Sequence, residues 1–114
     1  MDLTVEKTGD VAVVLIHGEH LDASIAEEFK SDMTPIIEET HKIVLDMKEL
    51  RFVDSAGLGA VLSCLRRLGD VGGDLKLCNL TKPVRASFEI ARMHRVVEIA
   101  DTEIGAIKAF ETTP

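Results

Sequence analysis

The sequence predicts an α/β domain, with a mixed, mostly parallel sheet of about four or five strands, an N-terminal β-hairpin and about four helices. Three observations predict it. Leu3, Val5 and Lys7 alternate with Asp2, Thr4 and Glu6, which is the period of a half-buried strand. After Gly9-Asp10 the chain runs apolar from Val11 to Ile16, as a strand covered on both faces does, so the two segments read as a hairpin. Beyond it, short apolar runs at residues 42–47, 74–80 and 96–100 alternate with stretches that keep apolar residues at helical spacing. Such alternation sets consecutive strands parallel, joined by right-handed crossovers.

Each helix carries its own signals. Ser24 and Glu27 form an S-x-x-E capping box, with Ile25, Phe29, Met33 and Ile36 as the apolar stripe behind it. Pro35 lacks an amide donor and is expected to kink or end that helix early. Leu58, Val61, Leu62, Leu65 and Leu68 mark a second helix, stopped by Gly69 and Gly72-Gly73. Thr81 is the expected N-cap of a third, with Pro83 in its first turn and Val84, Phe88 and Ala91 as its stripe. Asp101 or Thr102 caps a last helix carrying Ile104, Ile107 and Phe110. Residues 18–22 and 48–53 are expected loops. One domain over residues 1–110 and a short flexible tail, 111–114, complete the reading.

Composition narrows the function classes. The 114 residues suit a single domain with a real core. A formal charge of −7 repels nucleic-acid backbones and anionic membranes, so neither is an expected partner. With no Trp, no Tyr and 4 Phe, stacking platforms for single strands are absent. The pairs Arg66-Arg67 and Arg92/Arg95 read as solvated helix faces. Cys64 and Cys78 lie far apart in apolar stretches, with no zinc spacing, which predicts buried thiols and no metal. The first residues lack the basic and apolar regions of a signal peptide, and no apolar run approaches the ~20 residues needed to span a bilayer. A cytoplasmic protein is the expectation, with no cofactor.

The segment that could carry chemistry runs from the strand at Ile43-Val44-Leu45 through a loop to Asp54-Ser55-Ala56-Gly57-Leu58-Gly59. A helix start has unpaired amides and the positive end of the macrodipole. With Asp54 as N-cap, Ser55 stands on the first turn with its hydroxyl pointing out. A phosphate there could be held by free amides and would add about −1.5 to −2 charge beside Asp54. Any partner packed on the spot would meet that charge. Gly57 and Gly59 each cost about 1 kcal/mol of helix propensity against Ala. Their missing side chains let another backbone approach, or one of them packs against the sheet and the other is incidental. Asp and Ser are also ordinary caps, and most such pairs do nothing more.

Phe52-Val53-Asp54-Ser55-Ala56-Gly57-Leu58-Gly59 resembles the phosphorylation-site signature of STAS-domain anti-sigma factor antagonists. Gly18 followed by Leu21-Asp22-Ala23-Ser24 is similar to that family's Gly-x-Leu-Asp segment, one residue longer here. Gly72-Gly73-Asp74-Leu75 resembles its Gly-Gly-x-Leu stretch, and Lys82-Pro83-Val84-Arg85 with Phe88 falls at the family's third helix. Ala56 stands where some members carry a second hydroxyl, which leaves Ser55 alone in the motif. The resemblance implies a STAS-like fold and a non-enzymatic binding module. Its unphosphorylated form would bind an anti-sigma factor serine kinase and free a sigma factor. Phosphorylation of Ser55 would switch it off, and a serine phosphatase would reset it. Asp22, Asp54, Ala56, Gly57, Leu58 and Gly59 would form the docking surface. The alternative is a non-switching scaffold or subunit in a bacterial signalling complex, with Ser55 only a cap.

Other chemistries fit less well. Ser55 lacks the Gly-x-Ser-x-Gly context of a hydrolase nucleophile, and His17, His20, His41 and His94 show no spacing of a base or metal site. An acyl carrier protein also places Ser after Asp at a helix start, but that class is helical and the aliphatic runs here require a sheet. A receiver domain would use Asp46, yet it needs a pair of acids after its first strand, and Asp10 alone does not supply one. Asp46 reads instead as a capping or loop-ordering carboxylate, and Met93 as core or rim, with a partner contact as the alternative.

Overall fold

Gly9 takes a φ of +62° at the first central position of a two-residue turn, where a type II′ hairpin requires positive φ. The turn joins β1 (Leu3–Thr8) to β2 (Val11–Ile16) in antiparallel register, Thr8 opposite Val11 and Leu3 opposite Ile16. The computed structural model describes residues 1–111. In chain order the remaining elements are β3 (His20–Leu21), α1 (Ala26–Glu39), β4 (Lys42–Asp46), β5 (Phe52–Val53), α2 (Ser55–Asp70), β6 (Asp74–Cys78), α3 (Lys82–Ile90), a 3₁₀ turn at Met93–Arg95, β7 (Glu98–Ala100) and α4 (Glu103–Glu111). The main sheet has five strands in the order β1-β2-β4-β6-β7, parallel from β2 onward. This is the mixed sheet, hairpin and four-helix inventory that the hydrophobic periods predict.

The two faces of the sheet are unequal. Ala12, Val14, Ile16, Ile43, Leu45, Leu75 and Leu77 pack under α1, α2 and α3 through Phe29, Met33, Val61, Leu68, Val84 and Phe88. Among the described residues α4 is the helix on the opposite face, with Ala106 and Phe110 on Val11, Val13, Val44 and Cys78. Lys76 is buried on that side. Its ammonium lies 4.7 Å above the Phe110 ring and 3.2 Å from Glu98 Oε2, so its charge is compensated. Both cysteines are buried free thiols, and loss of solvent pushes Cys64 up to about 11 and Cys78 to about 12.

Several local expectations change. Residues 18–22 and 48–53 are not plain loops: they contain β3 and β5, which pair parallel as a separate two-stranded sheet. The Ser24/Glu27 capping box does not form. The Asp22 carboxylate takes the Ser24 amide and hydroxyl, and α1 starts later, behind Ile25. Pro35 does not end α1, which runs to Glu39 because Met33 and Ile37 on either side are buried. Thr81 holds the N-cap position of α3, but its hydroxyl donates to the Leu50 carbonyl at 2.8 Å instead. Arg67 is not a solvated face. Its guanidinium joins α2 to α1 through the Lys30 carbonyl at 3.2 Å and Thr34 Oγ1 at 2.7 Å. Gly69 lies inside α2, and Gly72, at φ +77°, follows its end. The last helix includes Glu111, and the rest of the expected tail lies outside the described residues.

Asp46 ends β4 fully buried, accepting the Lys48 amide at 3.0 Å and the Asn79 side-chain amide at 3.1 Å. Glu103, in the first turn of α4, meets this carboxylate. A hydrogen bond to Asp46, then loss of solvent, holds the Glu103 carboxyl above its ordinary value of 4.5. The folded chain therefore keeps a proton there that the unfolded chain releases. The resulting stability is present below that ordinary value and is lost as pH rises through the folded one. Glu103→Gln removes the penalty at neutral pH. Thermal melts should show the variant more stable than the parent at pH 7, with the gap closing toward pH 4; a gap that is constant or widens in acid would contradict this pairing.

Candidate functional site

The two short strands exist because main-chain groups hold them. The Glu19 carbonyl accepts the Arg51 amide at 2.7 Å and the Phe52 amide at 3.1 Å, and the Leu21 carbonyl accepts the Asp54 amide at 3.4 Å. In this register His20 lies beside Phe52 and Leu21 beside Val53. Leu21 and Val53 point into the core, while Phe52 stays 49% exposed with the His20 ring edge-on at 6.1 Å. The next residues on the two strands, Asp22 and Asp54, are therefore brought side by side, 32 positions apart in sequence.

Asp54 is the N-cap of α2, with extended backbone at φ −95° and ψ −174°. Its Oδ1 accepts the Gly57 amide at 2.9 Å and its Oδ2 accepts the Ala23 amide at 3.0 Å. One carboxylate thus ties the start of α2 to the segment leading into α1. Asp22 ties the same segment from its other side, and the Ser24 hydroxyl, ahead of the opposing loss of solvent, holds its carboxyl below the usual range. Both acids are half-buried.

Ser55 is the first residue of α2 and is exposed. Asp54 takes the Gly57 amide and the Leu58 amide returns to the Asp54 carbonyl, which leaves the Ser55 and Ala56 amides as the open donors of the first turn. Ala56 and Leu58 are half-buried on the same turn. The two glycines differ. Gly57 is buried, and a Cβ there would overlap the Leu21 carbonyl and press on Val53 Cγ1. Gly59 is exposed, and a Cβ there would meet nothing within 4 Å. Gly57 is thus a packing glycine, while nothing in the chain itself asks for glycine at position 59.

Of the expected residues, Asp22, Asp54, Ser55, Ala56, Leu58 and Gly59 lie together at the carboxyl end of the parallel strands, whereas Gly57 is buried against the Leu21 carbonyl and presents no surface to a partner. Sequence reading missed Phe52 and His20 as its exposed rim. The strands that place them are two residues long, too short for periodicity to show. Among the described residues no group of three or more His, Cys, Asp or Glu is placed to hold a metal, and no helix is long and apolar enough to cross a membrane.

Comparison with known proteins agrees with this frame. The STAS domain family matches residues 2–106, so the chain belongs to that family. A curated relative is the anti-sigma F factor antagonist of Paenibacillus polymyxa, 27% identical over 113 residues, covering 97% of this chain and 96% of the relative. Among solved structures, the anti-sigma factor antagonist SpoIIAA in its unphosphorylated form superposes with a TM-score of 0.72 at 25% identity, covering 98% of this chain and all of that one. The phosphorylated form of SpoIIAA, from Bacillus, gives 0.70 at 27%, covering 96% and 99%.

Three substitutions separate scaffold from surface. Asp54→Ala should lower stability by about 1–2 kcal/mol, because it strips a cap and a cross-link together; an unchanged denaturant midpoint would reject the bridging role. Gly57→Ala should cost about 1–3 kcal/mol by overpacking, whereas Gly59→Ala should gain up to about 1 kcal/mol of helix propensity. Equal effects at the two positions in chemical unfolding would contradict the geometry.

Proposed function

We propose that this chain is an anti-sigma factor antagonist whose unphosphorylated form docks an anti-sigma serine kinase through the Asp22–Gly59 patch and is released when Ser55 is phosphorylated. The observation that carries the reading is the exposed Ser55 hydroxyl on a helix start whose own cap is already anchored elsewhere. The names of the similar proteins, and a relative solved in a phosphorylated form, support it.

The physical logic is an asymmetry between scaffold and partner. A phosphate on Ser55 finds the Ser55 and Ala56 amides and the positive end of a helix of 16 residues. The fold keeps its Asp54 bridge and tolerates the charge. A partner seated on Leu58 and Gly59 must instead desolvate a dianion beside Asp54 and Asp22, and like charges brought together at an interface cost several kcal/mol. The kinase supplies the chemistry: its ATP γ-phosphoryl passes to the Ser55 oxygen, the hydroxyl proton leaves, and ADP departs. This chain is substrate and ligand, and a phosphatase returns it to the binding form. With this assignment the protein acts in the cytoplasm and touches neither DNA nor membrane.

Two measurements test it. Incubation with the candidate kinase and ATP, read by mass spectrometry, should add one phosphate, on Ser55. No phosphate, or one elsewhere, would favour the non-switching scaffold. In titration calorimetry Ser55→Ala should bind the kinase like the parent, and Ser55→Asp at least about tenfold more weakly, about 1.4 kcal/mol. Equal affinity for both variants would remove electrostatic exclusion as the mechanism.

A further inference from the structure

The segment Ile90-Ala91-Arg92-Met93-His94-Arg95-Val96-Val97 joins α3 to β7 and holds two arginines and no acid, on a chain of net charge −7. Met93 and Val97 are buried and anchor it, and the Met93 carbonyl accepts the Val96 and Val97 amides at 3.0 Å each. Ile90 is 84% exposed because it sits about 200° around α3 from the buried Phe88. Val96 is 59% exposed. Val71, 51% exposed, ends α2 at the loop that enters β6, the strand beside β7. All three stand at the amino end of the parallel strands, opposite the end that carries Ser55. Among the described residues neither the Arg92 nor the Arg95 guanidinium has a hydrogen-bond or ion-pair partner, whereas Arg85 lies 3.6 Å from Asp101. The neighbouring acids Asp74 and Glu98 are already held by Lys76, at 3.4 and 3.2 Å. Arg92 also takes a φ of +58° directly after the C-cap of α3, where glycine ends a helix without strain. An arginine kept at a left-handed position, with no partner inside the chain, points to one outside it.

We propose that this end of the domain docks a second protein through a segment whose carboxylates flank aliphatic side chains. Arg92 and Arg95 take the carboxylates, and Ile90, Val96 and Val71 take the aliphatic groups. A guanidinium binds a carboxylate through two parallel N–H donors, and aliphatic groups with charged neighbours give the apolar centre and polar rim of a protein interface. The charge of the whole chain favours this occupant over a polyanion. A nucleic acid or an anionic membrane would bring a dense negative field against the other acids too, whereas a short acidic segment meets only the local pair of cations. The buried anchors at Met93 and Val97 hold the backbone in place beforehand, so docking orders little of this chain. An occupant here does not compete with a partner on the Ser55 side, and the proposal does not rest on the phosphorylation switch.

Titration of the isotope-labelled chain with a short amphipathic peptide of Glu and Leu, read by amide NMR, should shift residues 90–97 and Val71. The same peptide with Lys in place of Glu should shift neither. Arg95→Glu should weaken binding of the acidic peptide at least about tenfold. Arg92→Gly relieves the left-handed backbone, so it should raise the melting temperature while lowering peptide affinity, a split that a purely structural arginine would not show. No shifts at 90–97, an equal response to the Lys peptide, or an Arg95→Glu chain that binds like the parent would each overturn the proposal. So would shifts at 90–97 on concentrating the chain alone, which make the occupant a second copy, or the same shifts with phosphatidylglycerol vesicles, which make it a membrane.

Discussion

The Asp54 carboxylate is the constraint on which the site depends. It is one of the few side chains with both oxygens committed to amides of different segments, Gly57 in α2 and Ala23 ahead of α1. The cap and the cross-link together are worth about 1–2 kcal/mol, and they fix the angle at which α2 leaves the sheet. That angle decides where Ser55 stands. The close approach of Gly57 to the Leu21 carbonyl comes from the same geometry. A larger residue would lift the helix off β3 and stretch both Asp54 bonds.

A rigid platform of this kind suits a charge switch better than a conformational one. The groups that would receive a phosphate, two open amides and a helix dipole, exist before any modification, so the proposed event requires no refolding of the chain. The energetic change falls on whatever sits against the patch. Few other features of the molecule compete for that role. Asp46 and Glu103 meet at the start of α4, but the contact lies between β4 and that helix, which Ala106 and Phe110 hold to the sheet. Lys76 is enclosed by Phe110, Glu98 and Asp74.

Much of the fold was legible because long segments carry long periods. The run from Val11 to Ile16 and the stripe through Val61 and Leu68 declare a buried strand and an amphipathic helix without help from the rest of the chain. The cap at Asp54 was legible too, since Asp before a helical stripe has one common use. Features decided by tertiary contact were not. Ser24 and Glu27 had the spelling of a capping box, yet Asp22 reached Ser24 first. Pro35 should break a helix in isolation, but the burial of Met33 and Ile37 outweighs one missing bond. The strands β3 and β5 have two residues each, so the partner, not the periodicity, makes them. Gly57 and Gly59 look alike in sequence, and only the position of the Leu21 carbonyl tells them apart.

The central claim is that a phosphate at position 55 alters what can dock while leaving the platform as it is. Amide hydrogen exchange on a chain synthesised with phosphoserine at position 55, compared with the unmodified chain, tests it without needing any partner. The account predicts slower exchange at Ser55 and Ala56 and unchanged protection across β2, β4, β6 and α1. Faster exchange through α2 or at Ala23 would show that the charge breaks the Asp54 bridge, and the switch would then be conformational.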